Sequence, residues 1–239
     1  MPLTGLKALL FDKDGTLVHF DRTWGPAAGA VMRTLAGEDT EALGRLEAIS
    51  HYLPEEERFL PSSPLVAGSS AHYGPLWAQA LGEEPTDAFL ARLDALFSAE
   101  GLRSLTPLGR VRETLRGLHD RGLFLSIVTN DAEANARLQA EALGFLPLLG
   151  AIHGYDSGYG SKPGPGMIRA MGERFGFSGD EMAVVGDSAH DLTAARSAGA
   201  RFILVRTGPA PVDEMVPLAD LVLDSVDDLP GALTEAVPC

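Results

Sequence analysis

The chain has 239 residues, 45% of them hydrophobic and 22% charged, a balance that excludes a disordered polar chain or a fibrous repeat and allows one buried core with a sizeable insert. Its 19 basic residues face 33 acidic ones, a formal charge of −14, so neither a nucleic-acid backbone nor an anionic membrane surface is expected as a partner. The single cysteine, Cys239, excludes an internal disulfide and a cysteine-held zinc, and no apolar run has the length of a secretory leader or a membrane span; a cytoplasmic, unanchored protein is expected.

In chain order, the first apolar run is KALLFD (7–12), which closes on Asp12 and is followed at once by Lys13, Asp14, Gly15 and Thr16. From about His19 to about Gly101 the pattern changes to segments rich in Ala, Leu and Glu, with helical spacing over 26–36, 40–51, 71–81 and 87–99. This stretch reads as an inserted helical domain, residues 19–103, with hinges expected near 21–25 and 101–107. Between Asp21 and Glu100 it carries five arginines and thirteen acidic residues, which fits a solvated acidic face.

The remaining elements alternate. Val111, Leu115 and Leu118 predict a helix closed by Gly122, followed by the strand LFLSIVTN (123–130), and a helix through Leu138 and Ala142 closes at Gly144. AIHG (151–154) predicts a short strand, and GSKPGPG a loop bearing Lys162. The helix of Met167, Ile168, Met171 and Phe175 closes at Gly176, the strand MAVVGD (182–187) ends on Asp187, and a helix with Ala194, Ala195 and Ala198 closes at Gly199. RFILVR (201–206) and DLVLD (220–224) predict the last strands. Alternation of this kind predicts an α/β fold, a Rossmann-like parallel sheet with helices on both faces, built from residues 1–18 and 104–239 around the inserted helical domain.

In such a sheet, ligands bind beyond the carboxyl ends of the strands. Asp12 and Asp14 stand at one strand end, Thr129 and Asn130 at another, and Asp187, Ser188 and Asp191 at a third. Carboxylates gathered at one edge need a cation, and an all-oxygen donor set without cysteine points to Mg²⁺. Asn130 is open to two readings, a helix cap or a substrate contact.

Four elements in this order carry a resemblance: DKDGT at 12–16, the strand-end Thr129 in IVTN, Lys162 in KPGP, and GDSAHD at 186–191. The chain resembles the haloacid dehalogenase superfamily, and within it the Mg²⁺-dependent phosphatases similar to phosphoglycolate phosphatase. The resemblance implies Asp12 as a nucleophile that forms an aspartyl-phosphate, Asp14 as acid and base, and Thr129, Asn130 and Lys162 as contacts to a small phosphorylated metabolite. It implies Mg²⁺ held by the carboxylates of Asp12 and Asp187 and the backbone carbonyl of Asp14, with Asp191 and Ser188 supporting that set from behind. Lys13 is expected to point to the opposite side and to contribute little beyond its backbone.

The inserted domain matches in position the cap of such phosphatases; Arg22, Arg58, His51 and His72 are its candidate substrate contacts, and Trp24 and Trp77 are read as packing residues. A departure occurs at Gly166, where many members of the family carry an acid, which leaves the rigidity of the Lys162 loop open. A sugar phosphomutase and a non-catalytic binding module on the same scaffold are the competing readings, and a monomer and a homodimer are equally compatible with the sequence.

Overall fold

The computed structural model describes residues 3, 5–66 and 68–233; Cys239 lies outside them, as do Met1, Pro2 and Thr4 of the amino-terminal stretch. The chain divides into two compact units, Met1–His19 with Pro107–Cys239, and Phe20–Thr106.

The first unit is a parallel sheet. Its strands are β1 (Ala8–Phe11), β4 (Phe124–Val128), β5 (Ala151–His153), β6 (Met182–Gly186), β7 (Arg201–Val205) and β8 (Leu221–Leu223), in the spatial order β5-β4-β1-β6-β7-β8. Every pairing is parallel, with β1 between β4 and β6. The apolar runs are continuous because both faces are covered. Helices α7 (Gly166–Phe175) and α8 (Ala189–Ala198) pack Met167, Ile168, Met171, Ala194 and Ala195 against Ala8 and Leu10 of β1, Val184 of β6 and Phe202 and Leu204 of β7.

Leu9 and Phe11 point to the other face by the strand period of two, the side on which α5 (Val111–Asp120) packs against β4 and α9 (Leu229–Ala232). The helix α6 (Glu133–Ala142) follows β4. All four glycines expected to end helices, at 122, 144, 176 and 199, have positive φ, the left-handed conformation that stops a helix without a side-chain penalty.

The second unit contains α1 (Phe20–Ala36), α2 (Thr40–Ile49), α3 (Ser70–Leu81) and α4 (Asp87–Arg103), with a short antiparallel pair, β2 (Tyr52–Leu53) and β3 (Arg58–Phe59). Its core is aromatic: Trp77 has no exposed surface and lies 5.5 Å from Phe97, and Phe20 lies 5.8 Å from Phe59. Trp77 Nε1 donates to Ser50 Oγ at 2.9 Å, so its one polar atom is satisfied. Trp24 packs edge-on against Phe97 at 6.0 Å.

Two sequence expectations change here. Residues 21–25, expected as a loop-like hinge, belong to α1, because the apolar period of Phe20, Trp24, Ala27, Ala28 and Val31 continues through Gly25 and the internal Pro26. The β2–β3 pair is new; Tyr52 Oη anchors it by donating to the Gly25 carbonyl of α1 at 2.8 Å.

Candidate active site

The strand ends of the first unit bring the polar residues together. Asp12 follows β1, and its N–H donates to the Val185 carbonyl at 2.8 Å, which extends the sheet by one residue and fixes the carboxylate. The chain then folds over Lys13, whose carbonyl accepts from the N–H groups of Thr16, Leu17 and Val18.

Lys162 is the hub. Its side chain is 3% exposed, and Nζ donates at 2.6 Å both to Asp12 Oδ1 and to Asp191 Oδ1. The other oxygen of Asp191 accepts from Ser188 N at 3.1 Å and Ser188 Oγ at 2.6 Å, while Ser188 caps α8. Asp191 therefore has both oxygens engaged and orients the lysine.

Asn130 takes a different place from either reading of the sequence. Its Nδ2 donates to the Lys162 carbonyl at 2.9 Å, and its Oδ1 accepts from the Lys162 N–H at 2.8 Å. The amide reproduces a strand-like pair of hydrogen bonds and pins the loop at the residue that matters. Gly166 contributes at the loop's far end: a Cβ there would lie 2.0 Å from the Tyr159 carbonyl, so close backbone packing leaves no room for an acidic side chain.

Asp187 follows β6 and accepts from Thr16 Oγ1 at 2.8 Å. It is enclosed by backbone: a Cβ on Gly15 or on Gly208 would lie 2.4 or 1.9 Å from Asp187 Oδ2. Thr207 closes the enclosure by donating from Oγ1 to the Gly15 carbonyl at 2.6 Å. Thr129 is buried after β4, and its Oγ1 accepts from the Asp131 N–H at 3.1 Å, which leaves the hydroxyl hydrogen for another acceptor.

Lys13 corrects the sequence reading. Its side chain is 1% exposed, and Nζ reaches Asp14 Oδ1 at 2.7 Å, Gln139 Oε1 at 2.8 Å and Asp131 Oδ2 at 3.1 Å. The side chain does turn away from Lys162 and Asp191, toward α6, as expected; what changes is its contribution, because three acceptors engage the ammonium there. Burial disfavours this charge, but the carboxylates of Asp14 and Asp131 together outweigh that and raise the lysine's pKa.

A family model described as haloacid dehalogenase-like hydrolase matches residues 6–199. The chain belongs to this family. Among its relatives, a phosphoglycolate phosphatase of Rhodospirillum rubrum is 31% identical over 202 residues, 84% of this chain and 80% of that one. One of the same name from Cereibacter sphaeroides is 31% identical over 212 residues, 88% and 90% of the two chains. Among solved structures, a predicted phosphoglycolate phosphatase from Haemophilus somnus superposes with a TM-score of 0.73 at 22% identity, covering 95% of this chain and 97% of that one. At that identity the structural likeness establishes the fold.

In this haloacid dehalogenase-like hydrolase the electrostatics of the site are unbalanced. Burial is the largest influence on Asp12 and lifts its pKa to about 7; Lys162 opposes, and Asp191 and Asp14 push it further up. Burial also raises Asp187 well above an ordinary aspartate, with Asp12 and Asp191 adding to the effect. Lys162 is disfavoured by burial too, yet Asp12 and Asp191 together hold its pKa above the usual lysine value. One oxygen each of Asp12, Asp187 and Asp191 lie within 4.8 Å of one another. Three buried carboxylates thus share one ammonium, and the donors are hard oxygens, a set that fits a divalent cation.

Several contributors to this hydrolase's site were not read from the sequence: Thr16 as the partner of Asp187, Asp131 and Gln139 as partners of Lys13, and Thr207 with Gly208. Only Thr16 lies inside a motif; the others are joined to it by contacts across distant parts of the chain. In the second unit, Arg58 Nε donates to Glu56 at 2.7 Å, His51 Nδ1 lies 2.8 Å from Ser62 Oγ, His72 Nδ1 lies 2.8 Å from Ser69 Oγ, and Arg22 is exposed.

Proposed function

We propose that the chain is a Mg²⁺-dependent phosphatase that hydrolyses a small phosphorylated metabolite of the phosphoglycolate kind through an aspartyl-phosphate. The observation that carries this reading is the buried Lys162, held at 2.6 Å from Asp12 and Asp191, beside an acidic cluster with too little positive charge of its own. The relatives named phosphoglycolate phosphatase, which the chain matches over most of its length, supply the substrate class.

Asp12 is the nucleophile. Lys162 engages Oδ1, so the carboxylate keeps an oxygen for attack on phosphorus, and the lysine charge also offsets that of the phosphoryl oxygens. Thr129 donates its hydroxyl hydrogen to one of these oxygens. Asp14 protonates the departing alkoxide and then takes a proton from the water that hydrolyses the acyl phosphate. The carboxylates of Asp12 and Asp187 and the backbone carbonyl of Asp14 would hold a Mg²⁺ ion, which would supply further positive charge at the phosphoryl group.

The second unit, inserted between Asp14 and Thr129, is assigned the role of a cap that selects the substrate and excludes water. No helix among the described residues is long and apolar enough to cross a membrane, and the reading is of a cytoplasmic enzyme acting as a monomer or homodimer.

The test is a screen of phosphorylated metabolites that includes 2-phosphoglycolate, with and without chelator. Phosphate release that needs Mg²⁺ and favours small phosphomonoesters is expected. Full activity after chelation, or isomerisation of a sugar phosphate in place of hydrolysis, would overturn the reading.

A further inference from the structure

The mechanism above uses one buried lysine and leaves a second, Lys13, without a task. Its three N–H donors are matched by three acceptors, Asp14 Oδ1, Gln139 Oε1 and Asp131 Oδ2. No donor remains for a phosphate, so the ammonium is not a substrate contact. Its acceptors are themselves held: Asp131 Oδ1 accepts from Ala132 N at 2.8 Å, and its Oδ2 from Asn135 Nδ2 at 2.6 Å. Gln139 is fully buried, yet its Nε2 has no hydrogen-bond partner, a polar cost that keeps Oε1 facing the lysine.

We propose that Lys13, fixed by Asp131 and Gln139, is the positioning residue for the Asp14 carboxyl group: by binding Oδ1 it makes Oδ2 the oxygen that exchanges protons with the substrate. This rests on the reading of Asp14 as acid and base. Oδ1 is already engaged by the ammonium 2.7 Å away, so exchange with the substrate falls to Oδ2. In the first step a bond forms between Asp12 and phosphorus, the bond from phosphorus to the leaving oxygen breaks, and that oxygen takes the proton from Oδ2. In the second, water's oxygen binds phosphorus, the bond to Asp12 breaks, and the water proton returns to Oδ2.

The test is single-turnover phosphoryl transfer from two substrates that differ in leaving group. 2-Phosphoglycolate, or the best alkyl phosphate of the screen, leaves as an alkoxide that needs the proton; p-nitrophenyl phosphate leaves as a stabilised phenolate that does not. Lys13→Met is expected to slow transfer from the alkyl phosphate about 30-fold, less than the roughly 10²–10⁴ of losing a general acid outright, with a loss about 10-fold smaller for the phenyl ester. KM should stay within about twofold, since the lysine does not touch the phosphate.

Equal losses with both substrates, or a raised KM at constant kcat, overturn the proposal. Asp14→Asn separates the two readings. Without a leaving-group split in Asp14→Asn the acid role itself falls; a split there but none in Lys13→Met removes only the positioning role. Should Lys13→Met not fold, Gln139→Met keeps every charge in place and is expected to show the same split at about threefold; its absence overturns the proposal equally.

Discussion

The interiors of the two units are made from different materials. In the first, Asp12, Lys13, Lys162, Asp187 and Asp191 are all buried at the strand ends; in the second, the buried polar side chains among the described residues are the hydroxyls of Thr23, Ser50, Ser63, Ser69 and Ser70, set in a core of Trp77, Phe59, Phe97 and Tyr73. Buried charge is costly even when paired, whereas aromatic burial stabilises directly. The sheet unit gives up stability at one edge to hold reactive groups, and the helical unit shows no such expense.

The largest way to sharpen this contrast is Asp12→Asn. It is expected to reduce phosphatase turnover by about 10⁴-fold or more, the scale seen when a nucleophile is removed, with the folded structure unchanged by circular dichroism. Retained turnover would end the nucleophile assignment. Next in size is Trp77→Ala in the helical core, where loss of a fully buried indole is expected to cost about 3–5 kcal/mol in unfolding. A cost below about 1 kcal/mol by denaturant titration, the scale of an ordinary surface change, would break the comparison.

The smallest effect runs the other way. The Asp12 pKa is raised to about 7 from 3.8, so between those values the metal-free native state holds a proton that the unfolded chain has released. Stability contributed by that proton is present at low pH and lost as pH rises from about 4 through about 7. In chelator, Asp12→Asn, which cannot ionise, should match the wild type near pH 4 and exceed its Tm by a few degrees near pH 8. Added Mg²⁺ should raise the wild-type Tm and reverse that order. A variant less stable than the metal-free wild type at pH 8 would show that the buried charge is already balanced.

How much of this was legible follows from the range of each interaction. The strands were readable because a run such as ALLF or MAVVG, buried on both sides, is apolar at every position, and the helices because Gly176 and Gly199 end their periods. Asp12 and Asp187 were readable because each follows directly on a strand, and Lys162 because it stands in a glycine- and proline-rich loop, all three in motifs of fixed local form. The central place of β1, between β4 and β6, has no local signature. Neither does the reach of Lys13 to Gln139, which joins residues far apart in sequence, so the partners that engage this lysine could not be read from its motif. The β2–β3 pair escaped notice because its strands are two residues each and the turn between them is a run of glutamates, Glu57 adopting a left-handed φ of 45°, a conformation that glutamate seldom signals.

The stem from which the second unit departs has its own consequence. Val18 pairs with Pro107, and Leu108 N donates to the Leu17 carbonyl at 3.0 Å, so the outgoing and returning chains are tied to each other within the sheet unit. An insertion whose ends are already closed adds entropy cost only with the logarithm of its length. Evolution could therefore exchange this insert for one of another size, or trim it to a turn, without renegotiating the fold that holds Asp12, which makes the stem a graft point.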